Sequence, residues 1–247
     1  MSFNTPASKP SSSFWSQMNW HPSSEQMNQF LKLQSLLILW NKKINLTRLI
    51  YGNDYWISQV LDSLWPINKE LHNPRQLINC IDVGSGCGLP GLAIAIAMPE
   101  ARVTLIESIK RKADVLEKMV TELKLSSRVS ICNQRAELIG KKSGFRNNYD
   151  LAFARAVAIP PVVSEYLVPL LNRDGQALIY CGKWSQKDEK QLNKSLIILK
   201  AKIKTIQETN LPDNRGERNV IRVISTGTCP SKYPRDIGKP AKNPLGS

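Results

Sequence analysis

The sequence predicts an α/β protein in which helices cover both faces of a mostly parallel β-sheet. Three observations predict this fold. From Leu77 onward, short apolar runs that are typical of strands alternate with segments of helical periodicity. A glycine-rich turn follows the first of these runs and opens a helix. Apolar residues make up 42% of the 247-residue chain, which is enough to form a sizeable core.

The first 72 residues are expected to lie outside the sheet. Residues 1–22 are rich in Ser and Pro, and we predict a disordered tail there. Residues 23–72 are predicted to form a small helical cap. Its first helix begins at a capping box made by Ser23 and Gln26, and apolar residues then recur at helical spacing up to Trp40.

The cap is predicted to contain a second helix. Apolar residues repeat the helical spacing over residues 57–64, and Pro66 is expected to end this helix. The connector NKKINLT lies between the two helices. Its Asn45 and Thr47 are expected either to bond to the local backbone or to line a cleft between the cap and the sheet.

Residues 73–228 are predicted to form the main domain around a seven-stranded sheet. The strands are predicted by the runs QLINCIDV, RVTLIES, RVSICN, YDLAFARAV, GQALIYCGK, KIKTIQET and NVIRVIST. Helices are predicted for PGLAIAIAM, KRKADVLEKMVTELKL, PPVVSEYLVPLL and residues 185–200. The last two strands have no helix between them, so one is expected to insert antiparallel. Residues 229–247 are rich in Pro and Lys and are predicted to form an extended basic tail.

Composition restricts the class of function. The formal net charge of +14 indicates an anionic partner, of which nucleic acid is the usual one. The five cysteines are widely spaced without a C-x-x-C pair, and there are only two histidines, so we expect no disulfide framework and no metal site. No apolar run reaches the length of a membrane span. A monomer in the reducing cytoplasm is expected.

The glycine-rich turn places Gly84, Gly86, Gly88 and Gly91 within eight residues. A P-loop is excluded because Leu92 stands where its lysine would follow Gly91. The dinucleotide fingerprint G-x-G-x-x-G fails because its third glycine is replaced by a leucine. The observed G-x-G-x-G pattern is the form of the turn that binds S-adenosylmethionine in Rossmann-like methyltransferases.

Acidic residues near this turn favour the same donor. Asp82 is expected to suit the cationic groups of S-adenosylmethionine and would repel a pyrophosphate. Glu107 lies 19 residues after Gly88, where an acid would bind the ribose hydroxyls. Ala136 and Glu137 follow the third strand and are expected to meet the adenine edge.

The motifs that the sequence lacks restrict the class of atom that accepts the methyl group. The polar-Pro-Pro-aromatic motif of amino-group methyltransferases is absent after the fourth strand. Cys181 could be the nucleophile of a cytosine-C5 enzyme, but a small core residue is the simpler interpretation. An acceptor that is nucleophilic when neutral remains, such as guanine N7, whose methylation needs placement more than proton transfer.

Five motifs then occur in a characteristic order. They are WNKKINLT at 40–47, DVGSGCGLPG at 82–91, VTLIESIKRKADVLEK at 103–118, ARAVA at 154–158 and KYPRDIGKPAKNPL at 232–245. With them the sequence resembles the RsmG family of 16S rRNA guanine-N7 methyltransferases, also known as glucose-inhibited division protein B. The sequence departs from the usual family pattern at Cys87, Leu89 and Cys181.

The resemblance implies a class I S-adenosylmethionine-dependent fold with an N-terminal helical cap. It implies methylation of a guanine in the decoding-region loop of small-subunit rRNA. By position it implies cofactor contacts, beside those expected from the glycine turn, at Gly84, Leu89, Glu107, Ser108, Ile109, Ala136, Glu137 and Arg155. No catalytic side chain is assigned.

Basic residues of the C-terminal third are candidates for contacts with RNA phosphates. They are Lys183, Arg215, Arg218, Lys232, Arg235, Lys239 and Lys242. Two other functions stay open on the residues alone. One is an NAD(P)-dependent Rossmann enzyme, and the other is a non-enzymatic rRNA-binding factor of ribosome assembly.

Overall fold

A seven-stranded sheet organises the computed structural model, which describes residues 9–10, 13–16, 18–73 and 78–247. The strands are β1 (Ile78–Val83), β2 (Ala101–Ile106), β3 (Val129–Cys132), β4 (Tyr149–Arg155), β5 (Leu171–Cys181), β6 (Ala201–Asn210) and β7 (Glu217–Ser225). Their order in the sheet is β3-β2-β1-β4-β5-β7-β6. The first five strands pair in parallel, whereas β7 is antiparallel to both β5 and β6. The predicted fold class and the predicted antiparallel insertion are confirmed.

Helices cover both faces of this sheet. The α-helices are α1 (Ser13–Ser16), α2 (Ser24–Asn41), α3 (Gly52–Tyr55), α4 (Asp62–Leu64), α5 (Asn68–His72), α6 (Gly91–Ala97), α7 (Lys110–Glu122), α8 (Ala136–Ile139), α9 (Pro160–Leu167), α10 (Gln186–Leu199) and α11 (Lys239–Lys242). Among the described residues, no helix combines the length and the apolar character that a membrane crossing requires.

The capping box at the start of α2 is confirmed. Ser23 Oγ accepts the backbone N–H of Gln26, and the Gln26 side chain accepts the backbone N–H of Ser23 at 2.8 Å. The same side chain donates to the carbonyls of Ile96 and Ala97 at 3.0 and 3.1 Å. One residue therefore both caps α2 and satisfies carbonyls at the end of α6.

The second helix of the cap differs from its prediction. It continues from α3 through a π-helical turn (Trp56–Leu61) into α4, and then through a 3₁₀ turn (Trp65–Ile67) into α5. Pro66 lies at the start of the 3₁₀ turn, where its missing N–H is tolerated. The proline therefore marks a change of helix type rather than the end of the helical segment.

Part of the predicted disordered tail packs against the cap. Residues 1–8, 11–12 and 17 lie outside the described residues. In the described part, Phe14, Trp15 and Met18 are buried, and the Trp15 ring lies 5.9 Å from that of Phe30. The segment 1–22, predicted as a disordered tail, therefore includes apolar side chains that bury against the cap.

The C-terminal segment is packed rather than extended. Arg146 donates to the backbone carbonyls of Gly140, Tyr233, Cys229 and Pro230 at 2.7–3.2 Å. Cys229, Tyr233, Pro240 and Leu245 are buried. The expectation of an extended tail over 229–247 is wrong, because its apolar side chains and carbonyls find partners on the main domain.

The core has two layers, one on each face of the sheet. Alternate residues of β1 enter different layers, so that Cys80 packs with the cap, α6 and α7, whereas Ile81 packs with α9 and α10. The cap therefore shares one continuous apolar core with one face of the sheet.

Candidate functional site

A cleft of about 710 Å³ lies at the carboxyl ends of the parallel strands, bounded on one side by the cap. The glycine turn after β1, Glu107 after β2 and Arg155 at the end of β4 line it. The end of β5 and the start of β7 complete the sheet side. This is the position at which open α/β sheets bind ligands.

The glycine turn is built so that the backbone borders the cleft. Gly84 and Gly86 have φ of +77° and +54°, which L side chains rarely adopt. A Cβ on Gly84 would lie 2.6 Å from a methyl carbon of Val157. A Cβ on Gly86 would meet nothing nearer than the Gly84 carbonyl oxygen at 3.8 Å, an ordinary contact, and Gly86 lines the cleft. A ligand can therefore approach the main chain there.

Gly88 and Leu89 complete the predicted turn. Gly88 donates its N–H to the carbonyl of Ser85 at 2.7 Å and has φ of +91°. A Cβ on Gly88 would lie 2.5 Å from a methyl carbon of Leu92, so this glycine packs against α6 and not against the cleft. Leu89 is buried and lines the cleft.

Asp82 does not line the cleft, contrary to the expectation that it meets the cationic groups of the donor. Its carboxylate is buried under the turn, and Oδ2 accepts the N–H of Gly91 at 2.9 Å. Burial raises the pKa of Asp82 to about 7, although the Gly91 hydrogen bond and the nearby Arg155 lower it in part. Asp82 therefore positions the start of α6.

Glu107 lies on the cleft wall with both carboxylate oxygens held. Oε2 accepts the N–H of Gly86 at 2.9 Å, and Oε1 accepts the N–H of Ile109 at 2.7 Å. The Asn133 side chain donates to the carbonyl of Glu107 at 2.7 Å. Because a carboxylate oxygen has two lone pairs, each oxygen can still accept a hydroxyl.

A smaller recess of about 200 Å³ adjoins the cleft, and Gly84 and Val157 line both. Ser108, Ala136 and Glu137 line the recess, whereas Ile109 lines the cleft. The structure therefore brings the residues after β2 and β3 together on the far side of Gly84.

The carboxylate of Glu137, which lines the recess, already accepts three hydrogen bonds from the protein. It accepts from Tyr166 Oη at 3.3 Å, from Arg135 at 3.2 Å and from the backbone N–H of Gly238 at 3.1 Å. Burial raises its pKa, but the bonds from Gly238 and Arg135 outweigh burial, so the pKa lies below its ordinary value. Glu137 thus joins α8 to the C-terminal segment.

Arg155 connects β4 to the cap at the cleft wall. Its guanidinium donates to Asp62 Oδ2 at 2.9 Å, to the carbonyl of Ser58 at 3.2 Å and to the side chain of Gln59. The next residue, Ala156, has φ of +57°, a strained conformation for a residue with a Cβ. Ser58 and Gln59 belong to the π-helical turn, a feature frequent at functional sites.

The predicted RNA-binding residues fall into two groups. Arg218 lines the cleft with Nε 3.4 Å from Asp62 Oδ1, and Lys183 is exposed next to the cleft residue Gly182. Arg215 is paired with Asp54 of the cap.

The C-terminal candidates lie elsewhere, beside α8 and α9. Arg235 donates to the buried carboxylate of Glu165 at 2.7–3.2 Å, and Lys239 is paired with Asp236 at 2.7 Å. Lys232 lies over the Tyr233 ring, and Lys242 is exposed.

Sequence reasoning missed Asp62, Gln59 and Tyr180 as cleft residues. A signal for Asp62 was present, since it is a lone acid within the apolar helical run WISQVLDSLW. Within the part of the chain that the structure describes, no group of three or more metal-ligating side chains is found.

The sheet order, the glycine turn after β1 and the fixed acid after β2 define a class I S-adenosylmethionine-dependent methyltransferase. Solved structures share this fold. MtNAS in complex with MTA and tNA is 15% identical with a TM-score of 0.51 over 82% of this chain and 70% of that one. StiE O-MT residues 961–1257 are 14% identical with a TM-score of 0.50 over 68% and 75%. The chain belongs to the rRNA small subunit methyltransferase G family (GidB), whose model matches residues 26–220.

Curated relatives agree over nearly the whole chain. Ribosomal RNA small subunit methyltransferase G of Prochlorococcus marinus (strain MIT 9313) is 52% identical over 97% of each chain. The protein of the same name in strain MIT 9303 is also 52% identical over 97% of each chain. That of Synechococcus sp. (strain CC9902) is 49% identical over 96% of this chain and 98% of its own.

The residues present fit S-adenosylmethionine, the methyl donor of this class. Gly86 lines the cleft, where a ligand can approach the main chain, and Glu107 offers lone pairs at the cleft wall. The recess beyond Gly84 adds a second compartment next to the cleft.

Proposed function

We propose that this methyltransferase transfers the methyl group of S-adenosylmethionine to N7 of a guanine in small-subunit rRNA. The observation that carries the choice of atom is the absence of a free base among the described residues that line the cleft. They include no histidine, and both cleft carboxylates, Asp62 and Glu107, already accept protein hydrogen bonds. A ring nitrogen with an available lone pair needs no proton removed.

The cleft cysteines support the same choice. Burial, with a smaller contribution from Asp188, raises the pKa of Cys181 to about 12. Burial also raises the pKa of Cys87. Both thiols are therefore protonated at neutral pH, which disfavours the covalent mechanism that cytosine-C5 methylation requires.

Residues of both the cleft and the recess would bind the donor. Glu107 would accept the ribose hydroxyls, and the turn from Gly84 to Leu89 would border the methionine part. Ser108, Ile109 and Ala136 would border the adenine. The bound donor supplies a sulfonium whose methyl group is electrophilic, so the protein's task is to hold the acceptor nitrogen in line with it.

The acceptor base would enter from the sheet side of the cleft. Arg218 and Asn219 line that side, together with the end of β5. A guanine stacked in a helix cannot reach this position, so an unpaired or extruded nucleotide is required. The names of the curated relatives support small-subunit rRNA as the substrate. We also infer that the enzyme acts as a monomer in the cytoplasm.

Mapping N7-methylguanosine in small-subunit rRNA tests this function. Small subunits from cells lacking the enzyme would be incubated with the protein and donor labelled in its methyl group. One labelled N7-methylguanosine per particle is expected. Label on a pyrimidine or on an amino group would refute the choice of atom. Absence of label from every particle and from free rRNA would instead support a non-enzymatic assembly factor, and NADH binding without donor binding would support a dehydrogenase.

A further inference from the structure

A second groove opens beside the cleft. It lies at the start of α7, on one face of the sheet, whereas the C-terminal candidates for RNA contact lie beside α8 and α9 on the other face. It has a volume of about 330 Å³ and is lined by residues 41–45 of the connector and by Ile109, Arg111 and Lys112 at the start of α7. We call it the basic groove. Four of its eight lining residues are Lys or Arg, and none is acidic.

The two walls of the basic groove are held in place by contacts between α2 and α7. The Trp40 ring lies 4.9 Å from Lys43 Nζ and 5.0 Å from Lys118 Nζ, so this ring of α2 contacts both the connector and α7. Lys32 of α2 pairs with Glu122 of α7 at 2.9 Å. Because α2 and α7 also share one apolar core, the groove lies beside two packed helices.

Three cations of the groove are not neutralised by an acidic side chain among the described residues, and one of them, Lys43, also lies over the Trp40 ring. No ion pair joins Lys43, Arg111 or Lys112 to an acid among the described residues. The first turn of α7 contains three consecutive cations and no acid. Cations at a helix N-terminus are disfavoured by the helix dipole. Glu107, which accepts the N–H of Ile109 just before the helix, and Asp114, which pairs with Lys110, are two acids against these three cations, so a positive charge remains for an anionic ligand.

The groove adjoins the cleft. Ile109 and Lys112 line both cavities. A strand whose base occupies the cleft would therefore leave past the start of α7. Phosphates lie on every nucleotide of that strand, so the chemistry of the groove fits the phosphates next to the target base.

We propose that the basic groove binds the phosphates of the rRNA strand that flanks the target guanine. This inference rests on the proposed function. It assigns the backbone contacts to the connector and α7, and not to the C-terminal residues Arg235 and Lys239, which are paired within the protein.

The test compares two double variants that each remove one Lys and one Arg charge. Lys43→Gln/Arg111→Gln changes the groove. Arg102→Gln/Lys202→Gln is the matched control, since both residues are exposed, Arg102 near the amino end of β2 and Lys202 on the edge strand β6. The dissociation constant for small subunits lacking the methyl group would be measured from about 50 to 200 mM salt, the range over which phosphate contacts change binding strongly.

The groove variant is expected to bind at least about tenfold more weakly near 0.1 M salt, with a salt slope lower by about two, while donor binding is unchanged. The control is expected to match the wild type. Equal losses in both variants, or wild-type binding by the groove variant, would overturn the proposal. Binding is measured without methyl transfer, so a failure of the proposed reaction would be seen separately, as wild-type protein that binds particles but leaves them unmethylated.

Discussion

Arg155 and Asp62 form an ion pair across the boundary between the sheet and the cap, with Nη1 and Oδ2 2.9 Å apart. The side chains are only 15% and 8% exposed, and both residues line the cleft. The same guanidinium satisfies a carbonyl of the π-helical turn. One contact therefore fixes the cap to the sheet at the wall of the donor site.

Asp62→Asn should destabilise the protein because it leaves the charge of Arg155 without its partner. We expect the free energy of unfolding to fall by about 3 kcal/mol, measured by urea denaturation. Asp54→Asn is the control, since Asp54 of the same helical segment pairs with Arg215 but is 46% exposed. Its expected cost is below about 1 kcal/mol. Equal losses of unfolding free energy in the two variants would show that the burial of the Arg155–Asp62 pair does not matter.

Glu107→Gln should weaken donor binding without unfolding the protein. The substitution keeps the shape but removes the charge and one acceptor oxygen from a side chain that holds both Gly86 and Ile109. A loss of about 1.5–3 kcal/mol in binding, roughly ten- to a hundredfold in dissociation constant, is expected from titration calorimetry. The exposed Glu100→Gln is the control. An unchanged dissociation constant for Glu107→Gln would contradict the assignment to the ribose.

Asp82→Asn should change how stability depends on pH. The folded pKa of about 7 lies above the ordinary value of 3.8, so the folded state binds the proton more tightly than the unfolded state. The contribution of this carboxyl to stability is then present below about pH 4 and is lost as the pH rises towards 7. The wild type should therefore lose about 1 kcal/mol per pH unit relative to the variant across this window. Parallel stability curves for the two proteins would disprove the raised pKa.

Arg235→Gln should act on stability and not on RNA binding. The guanidinium holds the buried carboxylate of Glu165 at 2.7 Å and also donates to the carbonyl of Asn243. Removing the guanidinium leaves the buried Glu165 carboxylate without its ion-pair partner, which is expected to lower the free energy of unfolding by about 3 kcal/mol, measured by urea denaturation. Lys232→Gln, which removes a cation that lies over the Tyr233 ring, should cost little. A lower salt slope for rRNA binding by folded Arg235→Gln would instead make Arg235 an RNA contact.

Local patterns are enough to predict much of the fold. The capping box at Ser23 and the strand–helix alternation depend on neighbours in sequence, and the structure contains both. The glycine turn is predictable for the same reason, since positive φ at Gly84 and Gly86 is a local requirement. The antiparallel insertion among the last two strands follows from the absence of a helix between them.

Features that depend on distant partners are not predictable in this way. Phe14 and Trp15 look like part of a polar tail because their ring partners, Trp56 for Phe14 and Phe30 for Trp15, lie further along the chain in the cap. Asp82 is expected to face the donor because its contact with Gly91 exists only after the turn forms. Arg235 looks like a free cation because Glu165 is 70 residues away. Charge and composition indicate a partner, but the fold decides which groups remain available to it.

The shared core beneath the cap has a consequence for the substrate. The cap is joined to one face of the sheet by continuous apolar packing, and Arg222 adds an ion pair to Glu70 at 2.6 Å. A cap that is anchored in this way cannot open like a hinged lid to admit a large substrate. The rRNA must therefore change its conformation for the guanine to enter the cleft. A guanine that is already unpaired and unstacked in a loop will be methylated faster than one held in a rigid helix.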